Sequence, residues 1–224
     1  MQPRDIEGLF ASPVSVSIAT PDMYDAEVFA GEADAIVNQP PARRREFAAG
    51  RACAREALLQ LGRGPCPIGR GQHGAPAWPP GFTGSITHCE GFCAAVAAIA
   101  RDGFAIGLDA EDATPLAPHL VRQVCGDEEL EAFMALTAAA TNWGKIAFCA
   151  KEAFLKACFP LTGRRVGFDS VSIRFANDHE RRRGAFTLAA DARIDGAPGV
   201  AARSAGRWRV AGGRIFAGVT IHAI

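Results

Sequence analysis

Residues 104–111 read Phe-Ala-Ile-Gly-Leu-Asp-Ala-Glu, an apolar run that ends in two carboxylates. Such a run predicts a buried strand. Asp109 and Glu111 stand two residues apart, so both side chains leave the same face of the strand, roughly 6–7 Å from each other. Carboxylates at this distance repel each other unless a cation or protons lie between them, and they suit Mg²⁺ as ligands. The alternative interpretation is a solvent-exposed strand end, since Asp112 follows directly.

A long helix is predicted further along the chain, from an N-cap at Asn142 to Cys158, with Pro160 expected to end it. Glu152 and Lys156 are one turn apart on this helix, on the face away from its apolar stripe. A pair at this spacing is often a surface salt bridge worth about 0.3–0.5 kcal/mol. A compact ammonium beside a carboxylate also suits phosphate neutralisation or proton transfer. The second interpretation gains weight because the chain has lysine only at positions 145, 151 and 156.

The N-terminal half carries basic residues that could meet phosphate groups. A helix is predicted over 41–62, and a loop rich in glycine and proline follows over 62–84. Arginines near a helix N-terminus suit phosphate groups, and an ordinary charged helix face is the alternative. The segment Gly84-Ser-Ile-Thr-His88 combines small residues with hydrogen-bonding side chains. The candidate residues are Arg43, Arg44, Arg45, Arg51, Arg70, Thr87 and His88.

The order of elements predicts an α+β fold with two lobes. A buried strand over 92–99 follows the loop, and a short helix over 127–138 precedes the long one. Three β-like stretches complete the chain, and the last contains Gly212-Gly213 as a hairpin turn. They cover residues 170–175, 185–192 and 207–221. We place the N-terminal lobe at residues 1–103 and the C-terminal lobe at residues 104–224.

The overall composition excludes several classes of protein. The chain has 224 residues and a formal net charge of zero, with 24 basic and 24 acidic residues, so attraction to a polyanion through bulk charge is not expected. No apolar run approaches the roughly 18–20 residues that cross a bilayer. Seven scattered cysteines without a Cys-x-x-Cys pair argue against a disulfide framework or a zinc ribbon. We therefore expect a cytoplasmic protein without a membrane span.

Taken in order, these motifs resemble the 4′-phosphopantetheinyl transferase superfamily, in particular the enterobactin-synthase type that primes siderophore and other nonribosomal peptide synthetases. The resemblance covers residues 40–160. It rests on the basic helix, on Gly74-Ala-Pro76-Ala-Trp78-Pro79, on Gly84-Ser-Ile-Thr-His88, and on the Gly-x-Asp-x-Glu and Lys-Glu-x-x-x-Lys blocks. It implies transfer of the phosphopantetheine arm of coenzyme A to a serine of acyl or peptidyl carrier proteins, with release of adenosine 3′,5′-bisphosphate. It also implies a monomer of two similar α/β lobes, with coenzyme A in the cleft between them.

The resemblance assigns roles to particular residues. It implies that Asp109, Glu111 and Glu152 hold Mg²⁺ against the pyrophosphate, and that Asp109, Glu152 and Lys156 are catalytic. Lys156, with Lys151, would neutralise the transferring phosphoryl group. The reaction also needs a base for the serine hydroxyl, and on chemical grounds Glu152 is the candidate, directly or through a metal-bound water. Positions that match contacts with coenzyme A are Arg43, Arg51, Arg70, Thr87, His88, Lys151 and Lys156. Where many relatives carry a lysine before the Gly-x-Pro-x-Trp block, this chain has His73.

Two other functions compete with this one. Three carboxylates with a lysine also suit another Mg²⁺-dependent phosphoryl-transfer enzyme, such as a nuclease. A binding module could instead use the basic residues 181–183 on nucleic acid, but no aromatic residues alternate with them as a base-stacking platform requires. The expected partners are therefore coenzyme A and carrier proteins, without nucleic acid.

Overall fold

The computed structural model describes residues 2–136, 142–176, 182–190 and 204–222. These residues form six α-helices, eight β-strands and three short 3₁₀ helices. The helices are α1 (Pro3–Glu7), α2 (Ala30–Ala33), α3 (Pro41–Gln60), α4 (Pro118–Val124), α5 (Asp127–Met134) and α6 (Trp143–Thr162). The strands are β1 (Ser15–Ile18), β2 (Phe82–Cys89), β3 (Phe92–Ile99), β4 (Phe104–Asp112), β5 (Val171–Phe175), β6 (Arg183–Ala190), β7 (Ser204–Ala211) and β8 (Arg214–His222). The 3₁₀ helices are Pro21–Asp25, Gln72–Gly74 and Phe168–Ser170.

The chain divides into two compact units, each with an antiparallel sheet and a long helix. One unit is Pro13–Arg101, and the other combines Met1–Ser12 with Asp102–Ile224. The first twelve residues, which the sequence assigned to the N-terminal lobe, thus belong to the second unit. The predicted α+β class is confirmed. No helix in the described part of the chain is long and apolar enough to cross a membrane.

The unit Pro13–Arg101 consists of α3 packed on the three-stranded sheet β1-β3-β2. Helix α3 begins with Pro41, where a proline is tolerated because its missing N–H has no helical partner. Its buried side chains, among them Cys53, Ala57 and Leu58, pack against Ala95 and Ala97 of β3. The predicted helix and the predicted strand over 92–99 are both confirmed.

The predicted loop over 62–84 is wrong at its end, because β2 begins at Phe82 and pairs with β3. The polar residues Thr83, Ser85 and Thr87 are buried along one face of β2, at 8%, 4% and 1% exposure. A strand that buries its polar face does not show the expected pattern of buried apolar residues. Gly84 lies under the ring of Trp78, and a Cβ at position 84 would be 2.4 Å from that ring.

The second unit is built on the five-stranded sheet β4-β8-β7-β6-β5, with α6 packed on one face. The core includes Phe154 of α6, Phe186 of β6 and Trp208 of β7. The predicted hairpin turn is confirmed, because Gly212 and Gly213 both have positive φ, 56° and 74°, between β7 and β8. The stretch predicted over 170–175 corresponds to β5, and that over 185–192 corresponds to β6, although residues 191–192 lie outside the described residues.

The sequence predicted that Pro160 ends α6, and this prediction is wrong. The helix continues to Thr162 and ends at Gly163, which has a φ of 63° and donates to the carbonyl of Phe159. A proline in the last turn removes one main-chain donor, and the adjacent helical turns hold the geometry. Four further α-helices and strands, α1, α2, β1 and α4, were not predicted. The predicted helix over 127–138 corresponds to the shorter α5, and its residues 137–138 lie outside the described residues.

Gly107 allows α6 to approach β4 closely. A Cβ at position 107 would lie 1.8 Å from the main-chain oxygen of Ala153, far inside van der Waals contact. We expect Gly107→Ala to lower the free energy of unfolding by about 3 kcal/mol or more, because the helix must move away from the strand. Urea unfolding followed by circular dichroism measures the change.

Gly64→Ala is the matched control, because a Cβ at position 64 meets no atom within 4 Å. Its free energy of unfolding should stay within about 0.5 kcal/mol of the wild-type value. Equal stability of the two variants would contradict the close approach of α6 and β4.

Candidate functional site

The first candidate cluster lies where β4 and α6 meet. Asp109 on β4 is 4% exposed, and its Oδ1 is 2.7 Å from Nζ of Lys156 on α6. The same ammonium donates to the main-chain oxygen of Leu108 at 3.3 Å. Lys156 is therefore held by two acceptors on β4, and its side chain remains 30% exposed.

A second lysine of α6 contacts the neighbouring carboxylates of β4. Nζ of Lys145 is 2.9 Å from Glu111 Oε2 and 3.4 Å from Asp112 Oδ2. The sequence assigned no role to Lys145, although its position seven residues before Glu152, two helical turns, was the available signal. Burial raises the pKa of Glu111, the hydrogen bond from Lys145 opposes this, and the charge of Asp109 adds to it.

Glu152 lies on α6 within the electrostatic field of these groups. Burial raises the pKa of its carboxyl, the charge of Lys156 lowers it, and the charges of Asp109 and Glu111 raise it further. For Lys156 burial lowers the pKa, but the charge and hydrogen bond of Asp109 and the charge of Glu152 outweigh burial, and the net pKa is raised. A carboxyl that holds a proton more readily and a firmly charged ammonium therefore share one site.

Lys151 occupies a different place from the one that the sequence suggested. Its side chain is 1% exposed, and its ammonium lies 2.9 Å from Glu129 and donates to the carbonyl of Val124 at 2.7 Å. Glu129 also accepts from the main-chain N–H groups of Gly126 and Ile173. This buried ion pair joins α6 to α4, α5 and β5, and it does not support the prediction that Lys151 contacts coenzyme A.

The second candidate cluster lies in the unit Pro13–Arg101, between α3 and β2. Nη1 of Arg43 is 2.6 Å from Nε2 of His88 and 3.0 Å from Glu46 Oε2. The same carboxylate oxygen is 3.9 Å from Nδ1 of His88. Arg43 and His88 are exposed, so an anion in solution can reach both groups.

The other predicted contacts of coenzyme A in this unit differ in accessibility. Arg51 is 5% exposed, donates to the carbonyls of Ile68 and Gly69, and packs on the ring of Phe47. Burial lowers its pKa to about 10. Thr87 is 1% exposed on β2, whereas Arg70 is exposed. Arg51 thus positions the chain that leads to Arg70, and its burial does not favour direct contact with a ligand.

A divalent cation fits the first cluster by donor chemistry. Asp109, Glu111 and Glu152 provide hard oxygen ligands, and the charges of the first two raise the pKa of the third, a repulsion that a cation would relieve. Asp109 and Glu111 also form the ion pairs with Lys156 and Lys145, which a cation would have to displace in part. Within the described ranges, no three His, Cys, Asp or Glu side chains already form a metal-binding group.

Models of known protein families match both halves of the chain. The family model described as the 4′-phosphopantetheinyl transferase N-terminal domain matches residues 31–98, and that of the 4′-phosphopantetheinyl transferase superfamily matches residues 105–203. The chain is 36% identical to 4′-phosphopantetheinyl transferase Svp of Streptomyces mobaraensis, over 91% of this chain and 82% of that protein. It is 37% identical to 4′-phosphopantetheinyl transferase PptT of Mycobacterium tuberculosis, over 85% of this chain and 84% of that protein. Enterobactin synthase component D of Salmonella typhi is 36% identical over 60% of this chain and 56% of that protein.

The chain belongs to the 4′-phosphopantetheinyl transferase superfamily. It is therefore a transferase of phosphopantetheine groups, and the alternative of a nuclease is not favoured. Enzymes of this family use coenzyme A as substrate, generally with a divalent metal, and carrier proteins as acceptors. The sequence-based prediction of family and enzyme class is confirmed.

Proposed function

We propose that this enzyme transfers the 4′-phosphopantetheine group of coenzyme A to a serine hydroxyl of acyl or peptidyl carrier proteins, with Mg²⁺ as the metal and adenosine 3′,5′-bisphosphate as the second product. The observation that carries the proposal is the cluster of Asp109, Glu152 and Lys156, in which one buried and one partly buried acid lie near a fixed ammonium. Pyrophosphate cleavage requires neutralisation of developing charge and a base for the attacking hydroxyl, and this cluster offers groups for both.

Each side chain of the cluster has a separate role in the proposed reaction. Lys156, held by Asp109 and the carbonyl of Leu108, directs its ammonium to a non-bridging oxygen of the transferring phosphoryl group. Glu152 accepts the proton of the carrier serine, since its raised pKa brings it nearer to the pH at which a base works efficiently. Asp109, Glu111 and Glu152 would hold Mg²⁺, which supplies positive charge at the pyrophosphate when bound. Lys145 keeps Glu111 in place through their 2.9 Å contact.

The second cluster binds the 3′-phosphate end of coenzyme A in this proposal. Arg43 and His88 are exposed and adjacent, and a guanidinium is suited to a phosphate group because it offers several donors in one plane. Arg70 contributes a further contact, whereas Arg51 and Thr87, at 5% and 1% exposure, support the site from the interior. We propose that the enzyme acts as a monomer in the cytoplasm, with coenzyme A and carrier proteins as its partners.

The test of this function is a carrier-loading assay. The protein is incubated with Mg²⁺, coenzyme A and a panel of purified apo acyl and peptidyl carrier domains, and intact masses are measured. We expect at least one carrier to gain the mass of one phosphopantetheine group, and a carrier with its acceptor serine replaced by alanine to gain none. No mass increase on any carrier of the panel would contradict the proposal.

A further inference from the structure

The contact between Arg43 and His88 determines where the proton of His88 lies. Nη1 of Arg43 is 2.6 Å from Nε2 of His88, and a guanidinium can only donate hydrogen bonds. Nε2 is therefore the acceptor and carries no proton, so the neutral ring carries its proton on Nδ1. Nδ1 is the nitrogen that faces Glu46, at 3.9 Å from Oε2.

A phosphate group that approaches Arg43 and His88 requires a hydrogen-bond donor at Nε2 of His88 instead of an acceptor. Phosphate oxygens accept hydrogen bonds, and an unprotonated Nε2 would place a lone pair against them. A proton on Nε2 turns the ring into a second donor beside Arg43, and the resulting positive charge attracts the phosphate. The carboxylate of Glu46 faces the other nitrogen and also contacts Arg43, so it stabilises the imidazolium that forms.

We propose that binding of the 3′-phosphate of coenzyme A protonates His88, and that Glu46 is the positioning residue that makes this protonation favourable. The inference rests on the proposed function, since it assumes that coenzyme A is the ligand of this cluster. The step is the uptake of one proton from solvent by Nε2, which converts neutral imidazole into imidazolium without breaking any other bond. Arg43 moves from Nε2 to the phosphate as the proton arrives.

The other ionisable groups near this pair do not replace Glu46 in this role. Cys93 is the partner of His88 in the register of β2 and β3, and its pKa is raised by its hydrogen bond with Cys53 and by burial. The pKa of Tyr24 is raised by burial, by Cys93, and also by the charge of Glu46. Thiol and phenol are both neutral near pH 7. Cys89 and Glu90 follow His88 directly, and Glu90 is exposed. Arg43 and Glu46 are thus the charged groups of α3 that face the ring.

The proposal predicts proton uptake when coenzyme A binds. Before binding, Nε2 of His88 accepts from the Arg43 guanidinium, so the ring carries no second proton in this geometry. A phosphate monoester has its second pKa near about 6 and is already a dianion at that pH, so it releases almost no proton. We expect uptake of roughly 0.5–1 proton per coenzyme A at pH 8. A ligand without the 3′-phosphate should cause little uptake.

Isothermal titration calorimetry measures this uptake directly. Binding of coenzyme A and of 3′-dephospho-coenzyme A is measured at pH 8 and constant Mg²⁺ in two buffers of different ionisation enthalpy. His88→Gln should abolish the difference between the two ligands, and Glu46→Gln should lower the uptake by at least half while coenzyme A still binds. Glu56→Gln, a carboxylate on the same helix, is the matched control and should keep the wild-type uptake.

The outcomes separate this inference from the function on which it rests. Coenzyme A that binds to the wild type without proton uptake, or equal uptake with both ligands, would overturn the inference while carrier loading stands. Wild-type uptake in Glu46→Gln would overturn the role of Glu46. A wild type that neither binds coenzyme A nor loads any carrier would overturn the inference together with the proposed function.

Discussion

Replacement of Glu152 by glutamine is expected to lower kcat for carrier loading by about 10²–10⁴-fold, the range typical for loss of a general base. Glutamine keeps the size of the side chain but cannot accept the proton of the carrier serine. The KM for coenzyme A should rise by a smaller factor than kcat falls, because the groups proposed to bind its 3′-phosphate are unchanged. Steady-state kinetics with mass-spectrometric detection of the loaded carrier measure both constants. A tenfold higher concentration of Mg²⁺ should leave most of the loss in place, as a missing base requires.

The stability of the same variant provides its control. Burial raises the pKa of Glu152, against the effect of Lys156 and together with the charges of Asp109 and Glu111. A carboxyl with a higher pKa in the folded state holds its proton better there, so its ionised form destabilises the fold at high pH. Glu152→Gln should therefore raise Tm above the folded pKa in a buffer with EDTA. The gain should shrink as the pH falls toward about 4.3, the usual pKa of glutamate.

A matched variant shows whether the loss of any negative charge in this unit changes kcat or Tm. Glu131 is an exposed carboxylate on α5 of the same unit, and Glu131→Gln should keep wild-type kcat and Tm. Near-normal turnover of Glu152→Gln would contradict the assignment of Glu152 as the base. A loss of activity that accompanies a fall in Tm would contradict the electrostatic interpretation of the site.

Replacement of Lys151 by methionine is expected to cost about 3–5 kcal/mol of stability, because it removes one partner of a buried ion pair. Glu129 would keep its two main-chain donors but lose the ammonium at 2.9 Å, in a position where its side chain is only 10% exposed. For a chain of this length the cost corresponds to a fall of roughly 6–20 °C in Tm. Differential scanning calorimetry measures the fall.

A double variant distinguishes the ion pair from other effects at this position. When Glu129→Gln is added to Lys151→Met, no buried charge remains without its partner, and the double variant should recover part of the lost stability. At a temperature where Lys151→Met is folded, its KM for coenzyme A should be close to the wild-type value. Wild-type stability combined with a strongly raised KM would show that Lys151 binds the ligand, as the sequence first indicated.

The elements that the sequence predicted correctly are those with a strong pattern. Helix α3, helix α6 and strand β4 each carry a long periodic or apolar run, and their existence follows from local rules. Strand β2 was partly assigned to a loop because its polar residues point into the interior. Strand β1 has only four residues, too few for a pattern to be reliable. Local sequence patterns predict which residues face solvent and which face the core. The positions of β1 and β2 depend instead on the elements that pack against them.

The lysines of α6 show that a sequence motif alone does not predict which side chains meet at the site. Lys151 is the neighbour of Glu152 in sequence, but adjacent helical residues point about 100° apart, and Lys151 faces the buried side toward Glu129. Lys145 is seven residues from Glu152, and the structure brings it to Glu111. Sequence proximity favoured Lys151, and helical geometry favours Lys145 and Lys156 as the lysines of the site.

By itself the sequence determined the α+β class, the superfamily and the types of group available for chemistry, because motifs and periodicity are properties of neighbouring residues. Only the tertiary structure decided which groups meet. Lys156 reaches Asp109 because Gly107 lets α6 lie against β4. His88 accepts from Arg43 because β2 packs beside α3, which begins at Pro41, far from His88 in the sequence. Such pairings depend on the packing of distant elements, and the burial and the charges that this packing brings together determine the direction in which the pKa of Glu152 shifts.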